Sequence, residues 1–574
     1  MTIDNLIPFP VQAIRPAEAS NTPPGTPALP PAEDALSGNS APSGATLQPV
    51  NNTTSAATLQ PVNTTTSEAI PQSFVPVVAP AQIEPAVPAQ PASRPWAPAK
   101  PPDTVEETIT CYVANDAGNA QRFLDACGED IRYCAAEEQW YAFNDIQWEP
   151  VSETHIEQMA YRALEASYLK EVQYYKERNT NGYMDGLHKN ASKESVQAGK
   201  IKAIQDCVKT ARLLNIIEPE DFDSDPNQFH AKNSSLNLKT FKGWGYNKKD
   251  MYFTRTAGAN LFPDPPPAPD ERYVELTLDC PNWIRFVACC AAGDRELFYY
   301  LKKAAGYSVL SSDISEQKVF CLLGSGRNGK SLFINTLAEI AGDYACKIEA
   351  SLLCKNKFNE QHGDTAKELY RMKGSRFVYS NEFSSSQTLN EGFIKAITDG
   401  GKISCRAMYK ASTEYTPTYK LWFSTNHMPN LQTMDEGIRR RIVVIPFRLQ
   451  IPEDRIDRTL PDKLRAEYDQ IMLWLVEGYH LYLLEGLEPP EAIRSATACY
   501  FEEQDVFQRF LNENYVKDSD GNIPALALYQ HYQAWCVENG EKAVSNAKFG
   551  QEMTRLDVER VRGRHGNLYR LTEK

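Results

Sequence analysis

The stretch GSGRNGKS, residues 324–331, has the composition of a loop that binds phosphate groups. Its three glycines let the backbone curl so that successive N–H groups face an anion. Lys330 is placed to reach the β- and γ-phosphates of a nucleotide, and the Ser331 hydroxyl can ligate Mg²⁺. The candidate nucleotide ligands are Gly324, Ser325, Gly326, Arg327, Asn328, Gly329, Lys330 and Ser331.

The flanks of this loop favour the same chemistry. KVFCLL, residues 318–323, reads as a buried strand, and the apolar residues after Ser331 predict a helix whose N-terminus attracts an anion. Strand, glycine loop and helix in this order predict a site for ATP and Mg²⁺. The loop alone leaves kinases, GTPases, packaging motors and helicases open.

Two further polar side chains follow predicted strands. A hydrolytic site of this type needs an acid near the metal ion and the attacking water. GSRFVYSNE predicts a strand at 377–379 and places Glu382 just beyond it, as the residue that polarises the water and contacts Mg²⁺. Asn381 stands where many such enzymes have Asp. KLWFSTN predicts another strand, which ends in Asn426, and this amide can touch the γ-phosphate or the water.

Residues 389–429 predict a helix, a glycine turn and two strands joined by the turn ASTEYTP. Cations and aromatic residues alternate along this hairpin, a composition that suits a single strand of nucleic acid. The alternative is a solvated basic hairpin without such a role. The residues concerned are Lys402, Arg406, Tyr409, Lys410, Tyr415 and Lys420.

Three consecutive arginines, Arg439, Arg440 and Arg441, precede the predicted strand IVVIPF. An arginine here can reach a phosphate bound by an adjacent subunit and stabilise the charge of the transition state. Such a role in trans implies a closed ring. Structural ion pairing is the competing interpretation.

The C-terminal stretch predicts a helix followed by a basic hairpin, on which Arg562 and Arg564 can contact duplex phosphates. This local excess of arginine offsets a net charge of −14, which argues against a nucleic-acid partner only if charge is uniform along the chain. A basic terminus without a role is the alternative here.

Composition divides the 574 residues into unlike parts. The first 105 are rich in Pro, Ala and Thr, contain a tandem copy of ATLQPVN, and predict a disordered tail. The 13 cysteines lack CxxC pairs, which indicates free thiols, and no stretch predicts a signal peptide or membrane span. The predicted units are a tail 1–105, an α+β domain 106–265, a helical collar 266–310, a motor 311–450, a helical completion 451–504 and a C-terminal domain 505–574.

The ordered motifs GSGRNGKS, RFVYSNE, FIKAITDGG, KLWFSTNHMP and RRRIVVIPF resemble those of superfamily 3 helicases. The resemblance is to the helicase half of phage and plasmid primase–helicases related to the poxvirus primase–helicase, and it extends over nearly everything after residue 105. It implies an α/β fold with an AAA+-like parallel-sheet motor, a mixed α+β domain before it and a winged-helix domain after it.

The resemblance also implies roles for individual residues. Lys330 and Ser331 contact phosphate and magnesium, Glu382 is the Walker B acid and Asn426 the sensor. Lys410 contacts DNA from the hairpin, and Arg440 is the arginine finger, a role that Arg439 or Arg441 could take instead. The family commonly has Gly-Gly-Asp after the Thr, where this chain has Asp399, Gly400, Gly401 and Lys402.

The implied function is an ATP-dependent replicative DNA helicase, a hexameric ring that moves on single-stranded and forked DNA. A phage or mobile element in the cytoplasm of a bacterial host is the expected setting, with a separate primase or polymerase as a further partner. The polar tail 1–105 contains no carboxylate cluster of the kind that primer synthesis needs, so helicase activity without primer synthesis is expected of this chain. An origin-binding initiator, the helicase half of a primase–helicase system, a packaging motor and a small-molecule kinase are the alternatives.

Overall fold

The computed structural model describes residues 104–179, 182, 184–244, 249–261, 272–273, 278–355, 362–381, 383, 387–406, 412–432, 435–564 and 566–574. Four predicted features lie outside these ranges: Glu382, Tyr409, Lys410 and all but the last two residues of the tail.

The N-terminal part packs helices against a small mixed sheet with the order β3-β2-β1-β4. Asn115 and Ser152 cap two of the helices by accepting hydrogen bonds from backbone N–H groups, as short polar side chains do at helix starts. Residues 131–134 and 139–142 pair as an antiparallel hairpin. The elements are α1 (Val105–Cys111), α2 (Asp116–Cys127), β1 (Ile131–Cys134), β2 (Gln139–Phe143), β3 (Trp148–Val151), α3 (Glu153–Arg178), α4 (Asp185–Ala198), α5 (Ile201–Leu214) and β4 (Ile216–Ile217).

A second small sheet and two buried helices connect this part to the rest. Phe229 and Leu236 of the sheet share a hydrophobic core with Trp283 and Phe333, which lie beside the central sheet. The elements are β5 (Gln228–Ala231), β6 (Ser234–Asn237), β7 (Lys242–Trp244), β8 (Arg272–Tyr273), α6 (Pro281–Cys290) and α7 (Arg295–Leu310).

The central unit is a parallel sheet with the order β10-β11-β14-β9-β15. Helices cover its faces, and its inner strands β9 and β14 are almost entirely buried, as expected for a parallel sheet covered on both sides. This confirms the predicted α/β class. The elements are β9 (Val319–Leu323), α8 (Lys330–Ala341), β10 (Ala345–Lys347), α9 (His362–Met372), β11 (Phe377–Asn381), α10 (Glu391–Thr398), β12 (Ile403–Arg406), β13 (Ser412–Tyr415), β14 (Lys420–Thr425), α11 (Glu436–Arg439) and β15 (Ile442–Pro446).

Helices that follow the sheet complete its core. They are α12 (Leu460–Ala466), α13 (Tyr468–Glu485) and α14 (Glu491–Gln504). Helix α13 packs on α7 with glycines at the contact: a Cβ on Gly306 would lie 2.4 Å from the Leu475 carbonyl oxygen. The two backbones therefore approach more closely than any side chain would allow.

The basic hairpin differs from its prediction. ASTEYTP is not the turn, because Ser412–Tyr415 is itself strand β13, paired antiparallel with β12. KLWFST is instead the central strand β14, with all six residues buried. The placement of Lys420 on a nucleic-acid hairpin is therefore wrong. Its side chain is 2% exposed, donates hydrogen bonds to the carbonyls of Ser311, Asp313 and Thr418, and has a pKa far below the usual range because of burial.

The C-terminal unit has a hydrophobic core of its own, built around Phe510, Tyr532 and Phe549. As predicted, a helix leads into a hairpin. The elements are α15 (Val506–Asn514), β16 (Tyr515–Lys517), β17 (Ile523–Pro524), α16 (Ala525–Glu538), α17 (Asn546–Arg555), β18 (Arg560–Gly563), β19 (Gly566–Tyr569) and β20 (Leu571–Glu573).

All 13 cysteines lie in the described ranges and are free thiols, as their spacing predicts. Within those ranges, no helix combines the length and the apolar character needed to span a membrane.

Candidate functional site

The glycine loop, residues 324–329, joins the carboxyl end of β9 to the start of α8. Gly329 has a φ of +86°, a conformation that side chains rarely adopt. Gly324 is needed for space, since a Cβ there would lie 2.0 Å from the Asn328 side-chain nitrogen and 2.5 Å from the Phe447 oxygen. The loop therefore curls tightly over the end of the sheet, as its glycines predict.

Lys330 lies at the centre of the candidate site. Its side chain is buried, with 4% exposed, and its ammonium donates hydrogen bonds to the Gly324 carbonyl at 2.7 Å and the Asn328 side-chain oxygen at 2.9 Å. A third bond, at 3.1 Å, reaches the side-chain oxygen of Asn426. The structure thus brings together four predicted residues, although Asn426 belongs to another strand. A cation held beside a glycine backbone can bind an anionic group.

The order of the strands in the sheet explains why Asn426 lies beside Lys330. Asn426 follows β14, which lies between β9 and β11 in the sheet. Parallel strands end at one edge, and ligands of open α/β sheets bind outside that edge where the strand order reverses. The chain runs from β9 to the outer strand β10, returns through β11 and β14, and passes β9 to reach β15. The candidate site lies at that switch point.

A segment that sequence reasoning missed lies against the glycine loop. The Asn328 side chain donates to the Phe447 carbonyl at 3.1 Å, and the Ile451 N–H donates to the Arg327 carbonyl at 2.9 Å. The Gln450 amide also donates to the Ser325 hydroxyl at 2.6 Å. Two of these contacts use backbone groups more than a hundred positions away, so residue types give no signal for them.

Asn381 stands where many enzymes with such a site have an acidic residue. It ends β11 beside Ser424 of β14, and its side-chain oxygen is buried without a hydrogen-bond partner among the described residues. A buried acceptor of this kind is costly unless a ligand or water satisfies it. Ser331 is exposed in the first turn of α8. An exposed hydroxyl and an unsatisfied amide oxygen have the chemistry to contact Mg²⁺ or its water ligands.

The three arginines after α11 have different environments. Arg441 is buried, with its side chain 2% exposed, and pairs with Asp399 while donating to the Thr398 hydroxyl at 3.0 Å. Arg439 lies over the Phe501 ring, with 4.9 Å from the guanidinium carbon to the ring centroid. Arg440 is exposed and donates to the Gln317 side-chain oxygen at 2.9 Å. Of the three, Arg440 has the freedom to contact another molecule.

The predicted nucleic-acid residues lie on two surfaces. Lys402 and Arg406 are exposed at the start and end of β12, whose neighbours Cys405 and Tyr415 are buried in the core below. The hairpin base is therefore fixed to the central unit. Arg562 and Arg564 are exposed on and after β18 in the separate C-terminal unit.

Two other arginines of the C-terminal stretch serve its structure. Arg555 pairs with Asp505 at 2.7 Å and with Glu552 at 2.5 Å, and Arg570 donates to the Asn522 side chain at 2.9 Å. On the β18–β19 hairpin, Arg560, Arg562 and Arg564 are exposed.

Comparison with known proteins finds three family models along the chain. Residues 120–291 match "D5 N terminal like", residues 322–441 match a family of unknown function called DUF5906, and residues 502–565 match "Poxvirus D5 protein-like". The glycine loop, α10 and the three arginines fall within the second match, and the C-terminal unit carries the third.

Curated relatives are viral proteins. The chain is 29% identical over 258 residues to "Putative helicase L207/L206" of Acanthamoeba polyphaga mimivirus, covering 42% of this chain and 27% of the relative. It is 23% identical over 241 residues to "Putative primase C962R" of African swine fever virus, covering 38% of this chain and 24% of the relative. The matched region thus spans about a quarter of the length of these relatives.

Among solved structures, the apo C-terminal region of NrS-1 is similar to this chain at 11% identity and a TM-score of 0.43, covering 77% of this chain and 96% of the other. The two D5-type domains and the viral relatives confirm the resemblance to poxvirus-related primase–helicases. The two D5-type matches lie before and after the central parallel sheet in the sequence.

Proposed function

We propose that this chain is the ATP-driven motor of a DNA helicase and works as a closed ring on single-stranded and forked DNA. The observation that carries the proposal is the meeting of Lys330, Asn328 and Asn426 over the glycine loop, at the switch point of a parallel sheet. The relatives named as helicases and primases support the same class of activity.

In this proposal the glycine loop is a phosphate-binding loop for ATP with Mg²⁺, which supply a γ-phosphoryl group that can be transferred to water. Lys330 holds the β- and γ-phosphates, and the backbone N–H groups of the loop and of the first turn of α8 face them. Ser331 and Glu382 contact the metal ion, and Asn381 positions one of its water ligands through the unsatisfied side-chain oxygen.

Asn426 is the group that senses the nucleotide. Its oxygen accepts a hydrogen bond from the Lys330 ammonium. When Lys330 turns to a phosphate, Asn426 loses that donor and its amide N–H₂ can orient the attacking water or touch the γ-phosphate. Because β14 carries Asn426 at one end and follows β13 at the other, hydrolysis is linked to the basic hairpin.

The ring follows from Arg440. This exposed arginine stabilises transition-state charge at the site of the adjacent subunit, so each site is complete only between two copies of the chain. We propose a hexamer, which acts in the replication of a phage or mobile element in the bacterial cytoplasm. A separate primase or polymerase supplies the DNA synthesis.

DNA contacts come from two surfaces. Lys402, Arg406 and Lys410 of the hairpin hold one DNA strand in the channel of the ring. The C-terminal unit is a winged helix whose β18–β19 hairpin places Arg562 and Arg564 on duplex phosphates at the fork. An origin-binding initiator is the second candidate, and sequence-specific duplex binding by this unit would favour it.

Strand displacement on a forked duplex tests the proposal. We expect the wild-type chain to separate the strands with ATP and Mg²⁺, and to fail with a non-hydrolysable ATP analogue. Lys330→Ala should fail with both nucleotides while keeping its folded state. If the wild-type chain hydrolyses ATP but never separates a fork, the helicase proposal is wrong.

A further inference from the structure

Helix α10 lies between the basic hairpin and the two groups proposed to act on ATP, Asn426 and Arg440. Its contacts come from positions 391, 395, 398 and 399, which share one face because they are spaced as i, i+4, i+7 and i+8. The partners of this face follow one another along the segment 432–441, which connects Asn426 to Arg440.

The contact at the start of α10 is the most buried. Glu391 is 3% exposed, and its carboxylate accepts a hydrogen bond from the Gln432 backbone N–H at 2.6 Å and pairs with Lys355 at 2.5 Å. The Lys355 ammonium also donates to the Gln432 side-chain oxygen at 2.9 Å. Glu391 therefore binds the backbone of Gln432 directly and its side chain through Lys355. Gln432 lies six positions beyond Asn426.

The chain just before α10 holds the same loop. The Leu389 N–H donates to the Asn430 carbonyl and the Asn430 N–H donates to the Gln387 carbonyl, each at 2.9 Å. Backbone pairing thus extends the Glu391 contact toward Asn426. A shift of α10 relative to β14 would have to break these bonds or carry the loop with it.

The later part of α10 holds the arginine segment. Lys395 pairs with Asp435, which caps α11 by accepting from the Ile438 N–H at 3.0 Å. At the end of the helix, Thr398 and Asp399 hold the buried side chain of Arg441, the neighbour of Arg440. This contact gives a role to Asp399, which stands where the resembled family has another residue.

The other end of this path is the hairpin. Four residues, 399–402, with Gly400 and Gly401 at their centre, join α10 to β12, and Lys402 and Arg406 are exposed at this strand. Gly400 has a φ of +78°. The connection is therefore short, and a displacement of the hairpin by DNA acts directly on the end of α10.

We propose that α10 couples DNA at the hairpin to the ATP site, with Glu391 as the main positioning residue. Glu391 does not touch the nucleotide. It keeps the Asn426 loop attached to the helix that the hairpin moves, so DNA on the hairpin changes the position of Asn426 and the hydrolysis rate. The inference rests on the proposed function and adds the element and the residues that transmit the signal.

The test is the ratio of ATP hydrolysis rates with and without single-stranded DNA. Coupling between two sites commonly amounts to about fivefold or more, and we expect at least that ratio for the wild-type ring. Glu391→Ala should abolish the stimulation while the rate without DNA and the KM for ATP stay near those of the wild-type chain. Glu391→Gln should give an intermediate ratio, because its amide oxygen can still accept from Gln432 but lacks the charge that attracts Lys355.

A matched control lies on the opposite face of the same helix. Ala396 is exposed and has no part in the contacts described above, so Ala396→Gln should keep the wild-type ratio. Thermal unfolding establishes that each variant is folded. If Glu391→Ala does not fold, the inference is tested by Glu391→Gln alone, through its ratio of ATP hydrolysis rates with and without DNA.

A purely structural role for Glu391 would lower the rates with and without DNA by the same factor and leave the ratio unchanged. An unchanged ratio in the folded Glu391 variants would overturn the inference. A wild-type chain that DNA does not stimulate would instead contradict the proposed function, so the two failures are distinguishable.

Discussion

The Lys330 ammonium donates a 3.1 Å hydrogen bond to the Asn426 side-chain oxygen, although 96 positions separate the two residues. The contact joins the first residue of α8 to the residue that follows β14, the strand adjacent to β9. Lys330, which is proposed to hold the phosphates, is therefore hydrogen-bonded to Asn426, which is proposed to respond to the state of the nucleotide. A phosphate that attracts Lys330 must compete with Asn426 for the same donor.

The first prediction separates binding from hydrolysis at this pair. Lys330→Ala should lose nucleotide affinity. Asn426→Ala should retain it but hydrolyse ATP about 100-fold more slowly, since losing one transition-state contact costs that much in other enzymes. Fluorescent ADP titration and steady-state hydrolysis measure the two effects. Asn335→Ala, which removes an exposed amide from α8, is the control and should change neither.

The second prediction concerns the three arginines. Arg440→Ala should abolish hydrolysis without lowering stability, because Arg440 is exposed. Arg441→Ala should instead lower the free energy of unfolding by about 2 kcal/mol, since its buried guanidinium bonds Thr398, Asp399 and the Gly437 carbonyl. Denaturant unfolding and ATP hydrolysis of each variant check this division.

Mixing inactive variants tests whether Arg440 acts in trans. A ring assembled from Arg440→Ala and Lys330→Ala subunits contains some interfaces with both an intact Lys330 and an intact Arg440. We expect such mixtures to recover part of the hydrolysis that each variant lacks alone. Mixtures that stay inactive after demonstrated co-assembly would show that Arg440 serves its own subunit or none.

The third prediction follows from the corrected position of Lys420. Lys420→Met should lower the free energy of unfolding by about 2 kcal/mol, because buried carbonyl oxygens lose their donor. It should leave the affinity for single-stranded DNA unchanged, whereas Arg406→Ala should weaken it. Fluorescence anisotropy with an oligothymidine measures the affinity. Weaker DNA binding by folded Lys420→Met would contradict the buried placement.

The sequence was sufficient to predict β9, β11, β14 and β15, because each contains a run of at least three apolar or aromatic residues. It also placed Lys330 and the glycine loop, whose function depends on local residue types. It did not predict the short strand β10. Nor did it reveal that STEY is a strand, because Ser, Thr and Glu there resemble a turn until pairing with β12 is known.

Long-range contacts were the other limit of sequence reasoning. Residue types cannot show that the backbone of Phe447 and Ile451 lies on the glycine loop. Nor can they show which of three consecutive arginines is buried, since all have the same chemistry. In the structure, Arg441 differs from Arg440 because it is buried and paired with Asp399.

The fourth prediction is a pH dependence of stability from His230. This side chain is fully buried and stacked on Phe253, with ring centroids 4.5 Å apart, and its Nε2 bonds the Ile146 carbonyl at 2.9 Å. Its Nδ1 has no partner among the described residues, so a second ring proton would be unsatisfied. Burial lowers the pKa of His230 from 6.5 to about 4.

The sign of the effect follows from that pKa. Between pH 6.5 and about 4 the unfolded chain binds a proton that the folded chain does not, so acidification destabilises the fold. The contribution is at most about 1.4 kcal/mol per pH unit. His230→Gln should therefore lose less stability than the wild-type chain between pH 6.5 and 5. His155→Gln, at an exposed position on α3, should follow the wild-type curve. Parallel curves for the wild-type chain and His230→Gln would contradict the assignment.

The most direct test of the central claim is ATP hydrolysis with and without single-stranded DNA, with the particle mass measured in the same samples. We predict a closed multi-subunit particle whose hydrolysis rises on DNA and disappears in Lys330→Ala. A monomer that hydrolyses ATP at the same rate with and without DNA would contradict the account. That result would favour the alternative function, a small-molecule kinase.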